Sequence, residues 1–148
     1  MSSRARYLLD TNILSELVKP RPDQRVVAWV GAQSPLDLAI SVLTLGEVHK
    51  GITRVANGHR RAALARWASV DLPAQFAGRL LAIDERVAVA WGQLSGRAAR
   101  DGRTLPVIDG LLLATAHVHE LTFVTRNVAD CAARGVPVFD PWQGKLHD

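Results

Sequence analysis

The chain has 148 residues, which is the size of one ordinary domain, so a second domain is not expected. Hydrophobic residues make up 48% of the chain and charged residues 22%, a balance that is typical of globular proteins and excludes a disordered chain. The formal charge of +4 is carried mostly by arginine, which indicates either a nucleic-acid partner or an arginine-rich solvated surface.

Apolar runs of strand type alternate with stretches of helical periodicity, the pattern of βα units around a mainly parallel sheet. Residues 6–9 are predicted to form a buried first strand. Residues 1–10 lack the apolar run of a signal peptide, because Asp10 ends their short hydrophobic stretch at once, so no signal peptide is expected. No segment approaches the length of a membrane span. We therefore predict a cytoplasmic protein. Helices are predicted at residues 13–18 and 23–32, followed by a strand at 38–41 and a longer helix that carries Glu47.

The second half of the chain continues the alternation. Helices are predicted at residues 59–70, 73–82 and 85–101, and Gly102 ends the last of them. Another helix opens at Pro106 and runs to about residue 120. A β-branched and aromatic strand at 122–125 leads into Arg126 and Asn127, with a short helix from Val128 and a last strand at 136–139. The single cysteine, at position 131, excludes an internal disulfide and agrees with a reducing compartment.

Four acidic residues stand where a predicted strand ends or a predicted helix begins: Asp10, Glu47, Asp109 and Asp130. In an open α/β sheet the carboxyl ends of the strands face one crevice, so these acids can converge although they are far apart in sequence. Converged carboxylates repel one another unless a cation pairs with them, and ligation by oxygen alone favours Mg²⁺ or Mn²⁺. The pattern therefore predicts one metal pocket.

Each acid also has a purely structural interpretation. Asp10 and Asp109 suit the N-caps of helices, where a carboxylate accepts from backbone amides. Glu47 follows Thr44 by three residues, which is the spacing of a capping box, and Asp130 suits the first turn of a helix. These interpretations explain the positions singly. They do not explain why a basic protein gathers its acids at one end of the sheet.

Other chemistries have no motif in the sequence. Neither GxxxxGK[ST] nor GxGxxG is present, so binding of a nucleotide cofactor is not supported. No serine stands in the context of a nucleophile elbow, which leaves a serine hydrolase without support.

Five segments carry a resemblance to a known family, and together they span essentially the whole chain: residues 8–15, 41–47, 107–109, 125–127 with Asp130, and 138–142. By these segments the chain resembles PIN-domain ribonucleases, and most closely the toxins of VapBC-type toxin–antitoxin pairs. The resemblance implies a PIN-like α/β/α sandwich with a mainly parallel central sheet, in a single domain.

The resemblance also implies roles for particular residues. The metal-binding and catalytic acids would be Asp10, Glu47 and Asp109, with Asp130 as a weaker fourth. Roles around the site or in positioning phosphate are implied for Thr11, Ser41, Thr125 and Asn127. Arg126 lies next to the site, where it could contact a phosphate or tie the carboxylates together in the metal-free protein. Many members have an acid where this chain has Asn127, so the fourth ligand is open between Asn127 and Asp130. An aromatic residue usually stands where this chain has Cys131, a departure that we expect to affect local packing more than chemistry.

The implied activity is hydrolysis of RNA phosphodiester bonds with Mg²⁺ or Mn²⁺, leaving 5′-phosphate and 3′-hydroxyl ends. The implied partners are a second copy in a homodimer and a small antitoxin that covers the active-site groove, for which residues 42–56 and 73–82 are the candidate lining. Two alternatives stay open. One is a small metal-dependent phosphatase with Asp10 as nucleophile, although Asn12 stands where a second aspartate is expected; the other is a non-catalytic RNA-binding or interaction module.

Overall fold

The computed structural model describes residues 5–148, which form eight helices around a six-stranded sheet. Residues 1–4, part of the segment that argued against a signal peptide, lie outside this range. The strands are β1 (Tyr7–Leu9), β2 (Leu38–Ser41), β3 (Leu80–Leu81), β4 (Thr122–Val124), β5 (Val138–Asp140) and β6 (Lys145–His147). Their order is β3-β2-β1-β4-β5-β6; β1 to β5 pair in parallel, and β6 is antiparallel to β5. The predicted mainly parallel sheet is confirmed.

The helices are α1 (Thr11–Leu17), α2 (Gln24–Ala32), α3 (Val42–Ile52), α4 (Gly58–Arg66), α5 (Leu72–Gln75), α6 (Glu85–Arg100), α7 (Val107–Val118) and α8 (Val128–Cys131). Several begin at a side-chain cap: Asp10 accepts from the amide of Thr11, and Asp84 accepts from the amide of Val87. A π-helical turn, Trp67–Asp71, joins α4 to α5. None of the helices between residues 5 and 148 is both long and apolar enough to cross a membrane.

Hydrophobic side chains cover both faces of the sheet. Successive residues of a strand point to opposite faces, and in β1 Leu9 packs with Ile13 and Val26, whereas Leu8 packs on the other side with Leu112 and neighbours. The first face is covered by α1 to α5 and the second by α6 and α7. This confirms the predicted α/β/α sandwich.

The structure corrects the sequence prediction at three places. Residues 73–82 were predicted as one helix, but α5 ends at Gln75 and Leu80–Leu81 pairs with β2 as a strand, after a turn at Gly78 with φ of +81°. Strand β6 was not predicted. The capping box at Thr44 and Glu47 is wrong, because Ser41 caps α3 by accepting from the amide of Leu43 at 3.0 Å.

A candidate metal centre at the carboxyl ends of the strands

A pocket of about 400 Å³ opens where the carboxyl ends of the parallel strands meet the helices that follow them. Asp10 follows β1, Asn127 follows β4, and Glu47 and Asp109 project from α3 and α7. All four residues line the pocket, so three of the four predicted acids do converge. The βα connections bring them together, because each parallel strand ends at the same edge of the sheet.

Asp10 is the most constrained of the three acids. Its side chain is 6% exposed, with Oδ1 accepting from the amide of Thr11 at 2.7 Å and Oδ2 from Thr125 Oγ1 at 2.7 Å and Asn12 Nδ2 at 3.2 Å. Burial raises its pKa from 3.8 to about 6; the hydrogen bonds oppose this change, while the charges of Asp109 and Glu47 add to it. Because burial makes the ionised form of Asp10 costly, a cation bound nearby would stabilise this carboxylate.

Glu47 is tied to the strand-to-helix turn after β1. Thr11 Oγ1 donates to Glu47 Oε1 at 2.6 Å, which links the first residue of α1 to the middle of α3. Thr11 thus holds two acids at once, because its backbone amide binds Asp10. This contact spans 36 residues of sequence and brings Glu47 to the side of the pocket that α1 forms.

The side-chain amide of Asn127 lies between Asp109 and Asp130 and donates to both. Its Nδ2 donates to Asp109 Oδ2 at 3.0 Å and to Asp130 Oδ2 at 3.1 Å. Burial raises the pKa of Asp109, and the charges of Asp130 and Glu47 raise it further. Asp130 does not line the pocket; it lies behind Asn127 and reaches the pocket through that amide.

The donor set suits a hard divalent cation. Three carboxylates face one pocket, and a positive ion there would stabilise their ionised forms against the burial and the mutual repulsion that raise the pKa of Asp10 and of Asp109. Within residues 5–148 no three acidic, histidine or cysteine side chains stand close enough to enclose an ion as they are. Thr11, Thr125 and Asn127 instead hold Glu47, Asp10 and Asp109 through hydrogen bonds between neighbouring elements.

The remaining predicted residues take different places. Thr125 is buried; besides donating to Asp10, its Oγ1 accepts from Asn12 Nδ2 at 3.1 Å and from the amide of Asn127 at 3.0 Å. Arg126 lines the pocket, with its guanidinium carbon 5.1 Å from the ring centroid of Trp142. Ser41 is buried and caps α3, and it does not line the pocket.

Sequence reasoning missed the contribution of one face of α1 and of Lys19 just after this helix. The pocket is also lined by Asn12, Ser15, Glu16 and Lys19. Their spacing of three, four and seven residues from Asn12 is that of one helical face, and this was the signal available in the sequence. Trp142 was missed as well, since nothing local connects it to a site formed before residue 131.

An apolar groove of about 200 Å³ adjoins the acidic pocket and shares Ser15 and Glu47 with it. The groove is lined on its apolar side by Val18, Val48, Ile52, Val55, Leu64 and Trp67. Residues 42–56 were predicted to line the groove that an antitoxin covers, and Val48, Ile52 and Val55 of this segment line the apolar groove. The other predicted segment, 73–82, does not line this groove; Gln75, Phe76 and Arg79 face a separate pocket beside α2.

Comparisons with known proteins find related sequences over most of the chain. The family model described as PIN domain matches residues 7–129. Toxin FitB of Neisseria gonorrhoeae is 37% identical over 135 residues, covering 91% of this chain and 97% of the relative. VapC ribonuclease Y4jK of Sinorhizobium fredii is 32% identical over 136 residues, covering 92% of this chain and 97% of the relative.

Solved structures show the same fold. The crystal structure of FitAcB from Neisseria gonorrhoeae superposes with a TM-score of 0.88 at 37% identity, covering 92% of this chain and 98% of that chain. A toxin–antitoxin complex from Klebsiella pneumoniae matches with a TM-score of 0.67 at 29% identity, covering 91% of this chain and 97% of that one.

Proposed function

Because the chain belongs to the PIN-domain family, we propose that its acidic pocket is the active site of a metal-dependent endoribonuclease that acts as the toxin of a type II toxin–antitoxin system. The observation that carries this proposal is the meeting of Asp10, Glu47 and Asp109 at one pocket at the carboxyl ends of the strands. It is supported by one relative named as a toxin and another named as a VapC ribonuclease.

In this proposal Asp10, Glu47 and Asp109 hold the cation, Mg²⁺ or Mn²⁺, while Asp130 acts through Asn127. The bound cation would supply Lewis-acid stabilisation of the phosphoryl charge. Hydrolysis then needs no protein nucleophile: the carboxylates orient a water for in-line attack, and the products carry 5′-phosphate and 3′-hydroxyl ends.

The polar neighbours keep the acids in place. Thr11 and Thr125 donate to Glu47 and Asp10, which fixes each carboxylate against rotation. Arg126 is exposed on the rim, and its position over Trp142 limits the directions its guanidinium can take. We assign Arg126 to a phosphate of the substrate, because a guanidinium binds phosphate oxygens in a bidentate manner.

The phosphatase alternative is disfavoured by the residue at position 12. Asn12 stands where a second aspartate is expected in such a phosphatase, and its Nδ2 donates to Asp10 Oδ2 at 3.2 Å. This position therefore offers an amide and no carboxyl group that could exchange a proton with the substrate.

We further propose that the apolar groove beside the pocket receives an antitoxin segment. The groove has an apolar lining and joins the acidic pocket at Ser15 and Glu47, which fits an amphipathic helix that fills the groove and blocks the pocket. The solved toxin–antitoxin complex among the relatives supports a partner of this kind. Cytoplasmic location and homodimer formation remain predictions; light scattering of the purified protein tests the second.

The test is cleavage of a labelled mixed RNA pool with Mg²⁺, with Mn²⁺ and with EDTA. Activity should require the metal and disappear in Asp10→Asn, Glu47→Gln and Asp109→Asn, each of which removes one carboxylate charge. The matched control is Asp71→Asn, the same change at an exposed residue of the π-helical turn. Cleavage that persists in all three pocket variants, or in EDTA, would overturn the assignment; a folded protein without any cleavage would favour the non-catalytic binding module.

A further inference from the structure

One carboxylate on the wall of the acidic pocket forms an ion pair with a lysine of the chain. Glu16 lines the pocket from α1, and its side chain is only 7% exposed. Its Oε1 accepts from Lys19 Nζ at 3.0 Å, and its Oε2 accepts from the amide of Asp23 at 3.0 Å. Glu16 is therefore paired with a positive charge of the chain itself, whereas Asp10, Glu47 and Asp109 have no ion pair among the described residues.

The two bonds of Glu16 act on the turn that joins α1 to α2. One holds the backbone at Asp23, the N-cap of α2, and the other holds the ammonium of Lys19. Lys19 is 54% exposed, yet it lines the same pocket as the acids. A buried anchor thus keeps an exposed cation at the mouth of the pocket instead of leaving it to move with solvent.

The positive charge of Lys19 at the mouth of the pocket can attract RNA. An RNA phosphate that approaches three carboxylates is repelled until positive charge compensates, and charged groups on the rim of a cleft steer a polyanion into it. Arg126 lies on the same rim, supported by Trp142. Lys19 and Arg126 each have their own support, from Glu16 and Trp142 respectively.

We propose that Lys19 binds a phosphate of the RNA next to the one that is cleaved, and that Glu16 is the positioning residue that places it there. This rests on the ribonuclease function proposed above and adds a contact for substrate to that site. The ion pair between Lys19 and Glu16 should contribute little to stability, because Lys19 is exposed. If Glu16 only stabilised the fold, it would do so through its hydrogen bond to the Asp23 amide.

The test measures binding of single-stranded RNA by fluorescence anisotropy over a range of salt, in the Asp10→Asn background so that the RNA stays intact. Lys19→Met should weaken binding roughly five- to tenfold and reduce the slope of log affinity against log salt by about 0.7, the value for one phosphate contact on a single strand. Lys19→Arg should keep most of the affinity. The matched control is Lys50→Met, which removes the same charge from an exposed residue of α3 that does not line the pocket.

Glu16→Gln separates positioning from simple charge. The amide oxygen of the glutamine can still accept from Asp23, whereas its uncharged head no longer holds Lys19. If Glu16 positions Lys19, RNA binding weakens in Glu16→Gln and does not weaken further when Lys19→Met is added. If Glu16 acts only as a nearby negative charge, its removal strengthens RNA binding, and the proposal is overturned.

The outcomes distinguish this inference from the function on which it rests. In the nuclease-active chain, Lys19→Met should raise KM for RNA and leave kcat nearly unchanged, since a lost ground-state contact affects binding. Metal-dependent cleavage by the unaltered chain together with an unchanged salt slope in Lys19→Met would overturn this inference alone. Absence of RNA binding and cleavage by the unaltered chain would overturn the ribonuclease function, and the role of Lys19 with it.

Discussion

Ionisation of Asp10 should weaken the fold of the metal-free protein between about pH 4 and pH 6. Its pKa is raised from 3.8 to about 6 by burial, so in this window the folded protein binds more protons than the unfolded chain. The free energy of unfolding therefore falls as pH rises through the window and is level above it. The raised pKa of Asp109 acts in the same direction.

The size of the effect follows from the pKa values. Each pKa unit corresponds to about 1.4 kcal/mol, so a carboxyl moved from 3.8 to about 6 destabilises the fold by roughly 3 kcal/mol once ionised. Asp10 is 6% exposed, so solvent screens little of this. Domains are stable by only about 5–15 kcal/mol, which makes the change easy to measure.

The assay is urea denaturation in EDTA from pH 4 to pH 7, followed by tryptophan fluorescence. Asp10→Asn removes the titrating group, so its stability relative to the unaltered protein should rise by about 3 kcal/mol from the lower pH to the higher. Asp71→Asn, exposed and outside the pocket, is the control. Excess Mg²⁺ should reduce the difference, because the cation pairs with the carboxylate. A difference between Asp10→Asn and the unaltered protein that does not change with pH would refute the reasoning.

Three further substitutions test the packing and hydrogen bonds around the pocket by the same denaturation assay. Gly110→Ala puts a Cβ 3.1 Å from the indole of Trp91, which must move. We expect this strain to outweigh the roughly 1 kcal/mol that alanine gains over glycine inside a helix, for a net loss of about 1 kcal/mol; a gain in stability would mean that the indole moves freely. Thr44→Val should raise stability by up to about 1 kcal/mol, because Thr44 Oγ1 is buried without a hydrogen-bond partner among the described residues; a loss would reveal a partner. Thr125→Val removes a donor to Asp10 and should cost about 2 kcal/mol at pH 7, with less loss at pH 4, where Asp10 is protonated.

Much of the fold could be predicted from local patterns. The alternation of short apolar strands with periodic helices indicated a mainly parallel sheet, and β2 was predicted with its observed bounds. The places of Asp10 directly after β1 and of Asp109 in the first turn of α7 could also be predicted, because strand ends and helix starts have local sequence signals. Convergence of Asp10 and Asp109 then follows from parallel topology alone.

Other features depend on contacts that no local pattern contains. Strand β3 has two residues, too few to show a period, and it forms because β2 offers a free edge beside it. The separation of Asp109 from Asp130 depends on the amide of Asn127, and the support of Glu47 depends on Thr11, 36 residues away.

The sequence by itself determined which acids can meet, because chain direction and strand ends are local properties of a βα protein. The tertiary structure decided how each acid is used. Asp10, Glu47 and Asp109 face the pocket, whereas Glu16, equally acidic and on the same wall, is held by Lys19 and the Asp23 amide. The physical reason is that a carboxylate's role depends on its burial and on which donors reach its oxygens, and both are set by packing between distant segments.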